Sequence, residues 1–67
     1  MLEFSKRLIE LRTEKGISQK ELAKILEVSS SNISYWEQNK GEPIASNIVK
    51  LAKFFNVSTD FLLGLED

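Results

Sequence analysis

Turn signals interrupt this chain at short, regular intervals, and no other feature limits its fold as tightly. Gly16, Glu27-Val28-Ser29, Asn39-Lys40-Gly41-Glu42-Pro43, Asn56-Val57-Ser58 and Gly64 divide it into five pieces. None of the pieces alternates apolar and polar residues as a half-buried strand does, and each reads as helix. The expected fold is all-α, a compact arrangement of five short helices.

Apolar spacing and capping residues support each piece. Phe4, Leu8 and Leu11 recur at i, i+4 and i+7, which predicts a helix over 2–15 with one buried stripe. Gly16 follows as a left-handed stop. Ser18 with Glu21 three residues on is a capping box, opening a helix that turns Leu22, Ala23 and Leu26 inward. Ser29 caps a third helix over 30–38, whose apolar members are Ile33 and Trp36. Pro43 fits near the entry to a fourth helix, striped by Ile48, Leu51, Ala52 and Phe55. Asn56 suits a left-handed end, and Ser58 caps a short last helix carrying Phe61 and Leu62. No linker, internal repeat or low-complexity run beyond Ser29-Ser30-Ser31 divides the chain, so one domain over 1–67 is expected.

A domain this short buries only about 60% of the surface its unfolded chain exposes, so its core must be efficient. Nothing staples it. Cys is absent, which excludes a disulfide and a thiolate metal site. His is absent too, removing the commonest general base and the commonest transition-metal ligand. The remaining nucleophiles and bases are Ser, Lys and carboxylates, and these read as caps and surface groups. Gly16, Gly41 and Gly64 each stand alone at a turn, so no phosphate-cradling loop is present. No enzyme, cofactor or metal is therefore expected. The longest apolar run, Phe61-Leu62-Leu63, is far too short to span a bilayer. With no Cys and no export signal before Lys6 and Arg7, a cytoplasmic protein without membrane contact is expected.

Charge gives a mixed signal. Nine basic against ten acidic residues leave a net charge of −1, whereas nucleic-acid binders usually carry a basic excess. The distribution softens this. Residues 1–40 hold seven basic and six acidic residues, and residues 41–67 hold two and four. Between 28 and 41 only Glu37 is acidic.

The third helix carries the functional signal. A helix from Gln19, a turn of three residues and a second short helix make a helix-turn-helix over about 18–38. With Ile33 and Trp36 inward, the opposite side of the third helix carries Ser31, Ser34, Tyr35 and Gln38. Ser30 and Asn32 lie at its flanks. An ordinary solvated face favours Glu and Lys, which are better helix formers than Ser, Asn and Tyr. Hydroxyl and amide groups can donate and accept toward base edges, and the missing carboxylates avoid phosphate repulsion. The other reading of the same face is a cap and a polar surface with no ligand.

The run Ser18-Gln19-Lys20-Glu21-Leu22-Ala23, then Val28-Ser29, Ile33-Ser34, Trp36-Glu37 and Pro43, resembles the Cro/repressor-type (XRE) helix-turn-helix family. Leu51-Ala52-Lys53 and Val57-Ser58-Thr59-Asp60-Phe61-Leu62-Leu63-Gly64 are similar to the close of the same module. The resemblance covers about Phe4 to Gly64. It implies a five-helix domain that binds double-stranded operator DNA, commonly as a homodimer on an inverted repeat, and regulates transcription. Ser30, Ser31 and Tyr35 match the family's base-reading positions, and Ser34 shares their face. Ser18, Gln19, Asn32, Gln38, Asn39 and Lys40 match positions near backbone phosphates. Arg12 and Glu37 match an ion pair between the first and third helices, for which a purely structural role is the plainer reading. A protein-interaction or antitoxin-like module of the same fold, with weak or secondary DNA binding, is the rival function.

Some residues depart from the family pattern. Glu27 occupies a turn position where the family most often has Gly, and Asn39 takes the Gly-like position after the third helix. Ile9, Ile25, Ile44 and Phe54 fall where polar or small residues are usual. Ile44, Ala45, Phe54, Phe61 and Leu65 are candidates for a dimer surface. The third helix lacks Arg, so it offers no bidentate guanine contact, and an operator that leans to adenine and thymine or is read through its methyl groups is expected.

Overall fold

A computed structural model describes residues 2–67. They form α1 (Leu2–Lys15), α2 (Gln19–Leu26), α3 (Ser30–Glu37), α4 (Ala45–Phe55) and α5 (Thr59–Leu62), with no strand among the described residues. The all-α, five-helix expectation holds. No helix among them is long and apolar enough to cross a membrane.

Three helices begin on a serine whose hydroxyl accepts from a backbone N–H of the first turn, filling a donor the helix leaves open. Ser18 Oγ accepts from Glu21 N, Ser29 Oγ from Asn32 N, and Ser58 Oγ from Phe61 N. At Ser18 the box is reciprocal, since its own N–H donates to Glu21 Oε1 at 2.9 Å. Donation from the Ser18 N–H, and then from its hydroxyl, holds the Glu21 carboxyl below its ordinary pKa.

All five helices end alike. A residue in the left-handed region follows the last turn, and its N–H and the next N–H bond back to carbonyls of that turn. These residues are Gly16, Glu27, Asn39, Asn56 and Gly64, with φ of 71°, 60°, 59°, 56° and 82°. After α3, Asn39 N reaches Trp36 O at 3.2 Å and Lys40 N reaches Tyr35 O at 2.9 Å. Asn tolerates this conformation through its short polar side chain. Glu27 has no such help and carries about 1 kcal/mol of strain.

One continuous core joins Phe4 and Leu8 of α1, Leu22 and Leu26 of α2, Ile33 and Trp36 of α3, Leu51 and Phe55 of α4, and Leu62 of α5. The fourth helix is entered just after Pro43, as expected. Pro43 is buried ahead of the helix, and Ile44 sits in the cap position with no side-chain bond. Pro43 therefore packs the connecting loop, and α4 gains its stability from its buried stripe. Phe61 is only half-buried. The Arg7 guanidinium covers its ring at 4.2 Å, and Arg7 Nη1 donates to Phe61 O and Glu66 O. Arg7 thus ties the end of the chain to α1, and Ser58 also bonds the Glu66 carboxylate. Gly64 lies against the same helix so closely that a Cβ would fall 2.5 Å from Glu3 Cβ.

Candidate nucleic-acid interface

The turn between α2 and α3 is three residues, Glu27–Ser29, closed by Val28 N bonding to Ala23 O and by the Ser29 cap. Ile33 and Trp36 are buried, which fixes the roll of α3. The polar side that results is open. Ser30, Ser31 and Asn32 are exposed, Tyr35 keeps 54% of its surface, and Ser34 is half-exposed. Gln38, Asn39 and Lys40 continue that exposure past the end of the helix.

Several of these groups are held before any ligand arrives. Gln38 Nε2 donates to Ser34 Oγ at 2.6 Å, one turn back along α3. Ser29 and Ser31 hydroxyls lie 3.2 Å apart at its start. Such pairs restrict rotamers and reduce the entropy lost on binding.

The Glu37 carboxylate organises three helices. Arg12 Nε of α1 donates to Oε2 at 2.6 Å and Nη2 to Oε1 at 3.0 Å. Gln19 Nε2, at the first turn of α2, also donates to Oε1, at 2.9 Å. The Glu37 side chain is only 6% exposed and Arg12 16%. Its hydrogen bonds to Glu37, with the carboxylate's charge adding to them, keep the Arg12 guanidinium still more firmly protonated than usual. Arg12 Nη1 also donates to Ile17 O, which closes the loop before α2. The single acid of the 28–41 segment is thus enclosed and neutralised, leaving no free carboxylate on the polar side of α3. The arrangement also brings Gln19, at the start of α2, beside the end of α3 where Gln38, Asn39 and Lys40 follow.

The five residues considered for a dimer surface divide. Ile44, Ala45 and Leu65 are exposed, Ile44 at 68% and Leu65 at 73%. Phe54 and Phe61 are half-buried. Phe54 packs edge-on against Phe55 and lies under the Lys15 ammonium, much as Phe61 lies under Arg7. Two features had gone unread in the sequence: the bond from Gln19 to Glu37, and Ser5, whose hydroxyl reaches the last turn of α3. A serine in the apolar stripe of α1, one residue from Phe4, was the only signal for the second.

Among the described residues no three His, Cys, Asp or Glu side chains gather as metal ligands. What the site offers is an open helix face of hydroxyls, amides and a phenol, bordered by the first turn of α2 and by Lys40.

A helix-turn-helix family model matches residues 8–62. The HTH-type transcriptional regulator ImmR of Bacillus subtilis (strain 168) is 38% identical over 66 residues, covering 98% of this chain and 52% of its own length. The HTH-type transcriptional activator BcrR of Enterococcus faecalis is 42% identical over 66 residues, covering 98% of this chain and 32% of its own. The chain therefore spans about half, or less, of the length of these curated relatives. Among solved structures, the P22 c2 repressor protein in complex with synthetic operator 9T superposes with a TM-score of 0.88. It is 33% identical, covering 94% of this chain and 96% of that one.

Proposed function

This chain belongs to the Cro/repressor-type (XRE) helix-turn-helix family, and on that premise we propose that it is a sequence-specific DNA-binding unit of a transcriptional regulator. The matched relatives are named as transcriptional regulators rather than enzymes, and the matched repressor was crystallised on an operator. The single observation that carries the reading is the open face of α3, polar throughout and cleared of acid by the enclosure of Glu37.

In the proposed mode α3 lies in the major groove. Ser30, Ser31, Ser34 and Tyr35 read base edges, where hydroxyls can donate or accept and a ring can pack on a thymine methyl. The first-turn N–H groups of α2 attract a phosphate, with Ser18 and Gln19 beside it. Asn32, Gln38, Asn39 and Lys40 contact the backbone, fixing register without reading sequence. The 67 residues act as one domain, and two copies bind an inverted repeat with half-sites about 34 Å apart. Ile44, Ala45 and Leu65 are the preferred contact residues of the homodimer, since their apolar surface is open. With a net charge of −1, sequence-independent affinity is modest, and dimerisation and base contacts supply the rest.

The test is titration of DNA across a salt series. A DNA reader shows log K falling with log salt by about 0.9 per neutralised phosphate. Binding that is absent or insensitive to salt would leave a protein-interaction module as the better reading.

A further inference from the structure

Ser5 is buried at 5% exposure in the otherwise apolar stripe of α1, between Phe4 and Leu8. A buried hydroxyl needs a partner, and this one finds it 31 positions away. Ser5 Oγ donates to Trp36 O at 2.5 Å and lies 3.4 Å from Asn39 Oδ1. Trp36 O also accepts from Asn39 N, so a single carbonyl in the last turn of α3 joins α1 to the left-handed residue that ends it. Asn39 in turn sets the direction in which Lys40 leaves. The place is a groove lined also by Lys6, Ile9 and Gln38.

Ser5 and Arg12 are two helical turns apart on one face of α1, about 10.5 Å along its axis. Arg12 grips Glu37, and Ser5 grips the Trp36 carbonyl on which Asn39 N also closes. The first bond fixes α3 against α2 through Gln19. The second meets the chain at the point where it turns toward Lys40. A small hydrophobic residue would fill the same volume, so packing alone gives no reason for a hydroxyl here.

We infer that Ser5 is a positioning residue for DNA binding: its hydroxyl holds the Trp36 carbonyl that also accepts from Asn39 N, and so aims Lys40 at a backbone phosphate, although Ser5 itself touches no DNA. This rests on the DNA-binding reading above. Ser5 therefore acts on the sequence-independent part of affinity and leaves base preference alone.

A double-mutant cycle in the salt titration tests it, with the full chain and a DNA pool of random sequence. Ser5→Ala is expected to weaken binding about five- to tenfold at moderate salt and to make the slope shallower, toward the ~0.9 lost with one phosphate. In a Lys40→Ala background the same substitution is expected to leave the slope unchanged, because the contact it serves is already gone. Ser5→Cys keeps a weaker donor in a similar volume and should fall between wild type and Ser5→Ala. It reads the same quantity if Ser5→Ala does not fold. A wild-type slope for Ser5→Ala or Ser5→Cys overturns the proposal, as does an equal loss of slope in both backgrounds. If the wild-type chain binds no DNA, the functional reading fails and the proposal with it, an outcome visible before any variant is measured.

Discussion

Arg12 and Glu37, 25 positions apart, meet in a two-pronged ion pair in which Nε and Nη2 each take one carboxylate oxygen, at 2.6 and 3.0 Å. Enclosure makes the pair sensitive to removal of either partner, because the survivor is left charged and poorly solvated. Arg12→Met should destabilise the fold by about 3 kcal/mol, read by urea unfolding. Arg12→Met with Glu37→Met should recover more than half of that loss, since no orphan charge remains. A double variant as unstable as the single one would show that the attraction itself matters more than the avoidance of an unpaired Glu37.

Glu27 holds a left-handed φ of 60° with no side-chain feature that favours it. Glu27→Gly should therefore stabilise the chain by about 1 kcal/mol, a rise in Tm of about 4–8 °C for a domain of this size. Asn56→Gly should gain less, since Asn already tolerates that region. A Glu27→Gly variant with unchanged or lower Tm would mean that the side chain makes a compensating contribution in the turn.

Gly16 and Gly64 share a positive φ and differ in their surroundings. Nothing lies within 4 Å of a Cβ at Gly16, whereas at Gly64 one would fall 2.5 Å from Glu3 Cβ and 2.9 Å from its Cγ. Gly16→Ala should cost only the conformational term, about 1 kcal/mol. Gly64→Ala must also push the end of the chain off α1, and its loss should be visibly larger in parallel thermal melts. Equal losses would contradict the close packing of Gly64 on α1.

Glu21 links stability to acid pH. Its pKa is lowered in the folded chain by the Ser18 bonds. The contribution is therefore complete above the unfolded-state pKa and is lost as pH falls through the lower, folded value. Thermal melts between about pH 7 and about pH 3 should show wild type losing stability across the acid end of that window. Glu21→Gln should start lower at neutral pH and depend less steeply on acid. A Glu21→Gln curve parallel to wild type would remove the capping box from the account of acid sensitivity.

Much of the fold was legible because its signals are local. Ser18 with Glu21, Ser29 and Ser58 announce helix starts within a few residues, and Gly16, Asn39, Asn56 and Gly64 announce ends for the same reason. Glu27 was the harder case: the break at Glu27-Val28-Ser29 was legible, but a left-handed Glu runs against propensity, and only the family pattern pointed to a Gly-like position there. Pro43 marked the entry to α4, and burial of the loop placed it just ahead of the cap residue Ile44. The candidate interface was legible as a face, because Ile33 and Trp36 set the roll of α3. Its internal order was not. Gln19 bonding Glu37, Gln38 bonding Ser34 and Ser5 reaching Trp36 depend on rotamers and on how helices cross, and all but one span elements distant in sequence.

On DNA, the roles proposed for Tyr35 and Lys40 separate by what each substitution changes. Tyr35→Ala should alter preference at one position per half-site, by about 1–3 kcal/mol on the favoured base. Lys40→Ala should weaken all sequences alike and reduce the salt slope by about 0.9. Competition binding with single-base operator variants distinguishes them. Unchanged affinity and unchanged preference for Tyr35→Ala would remove the open face of α3 from the interface.

Selection of bound duplexes from a random DNA pool by the wild-type chain tests the central claim most directly. The account predicts enrichment of an inverted repeat whose half-sites lie about 34 Å apart, with adenine- and thymine-leaning steps where α3 has hydroxyls and amides rather than Arg. A pool that emerges with no enriched sequence, while the chain is folded and at a concentration that would saturate a specific site, would contradict it.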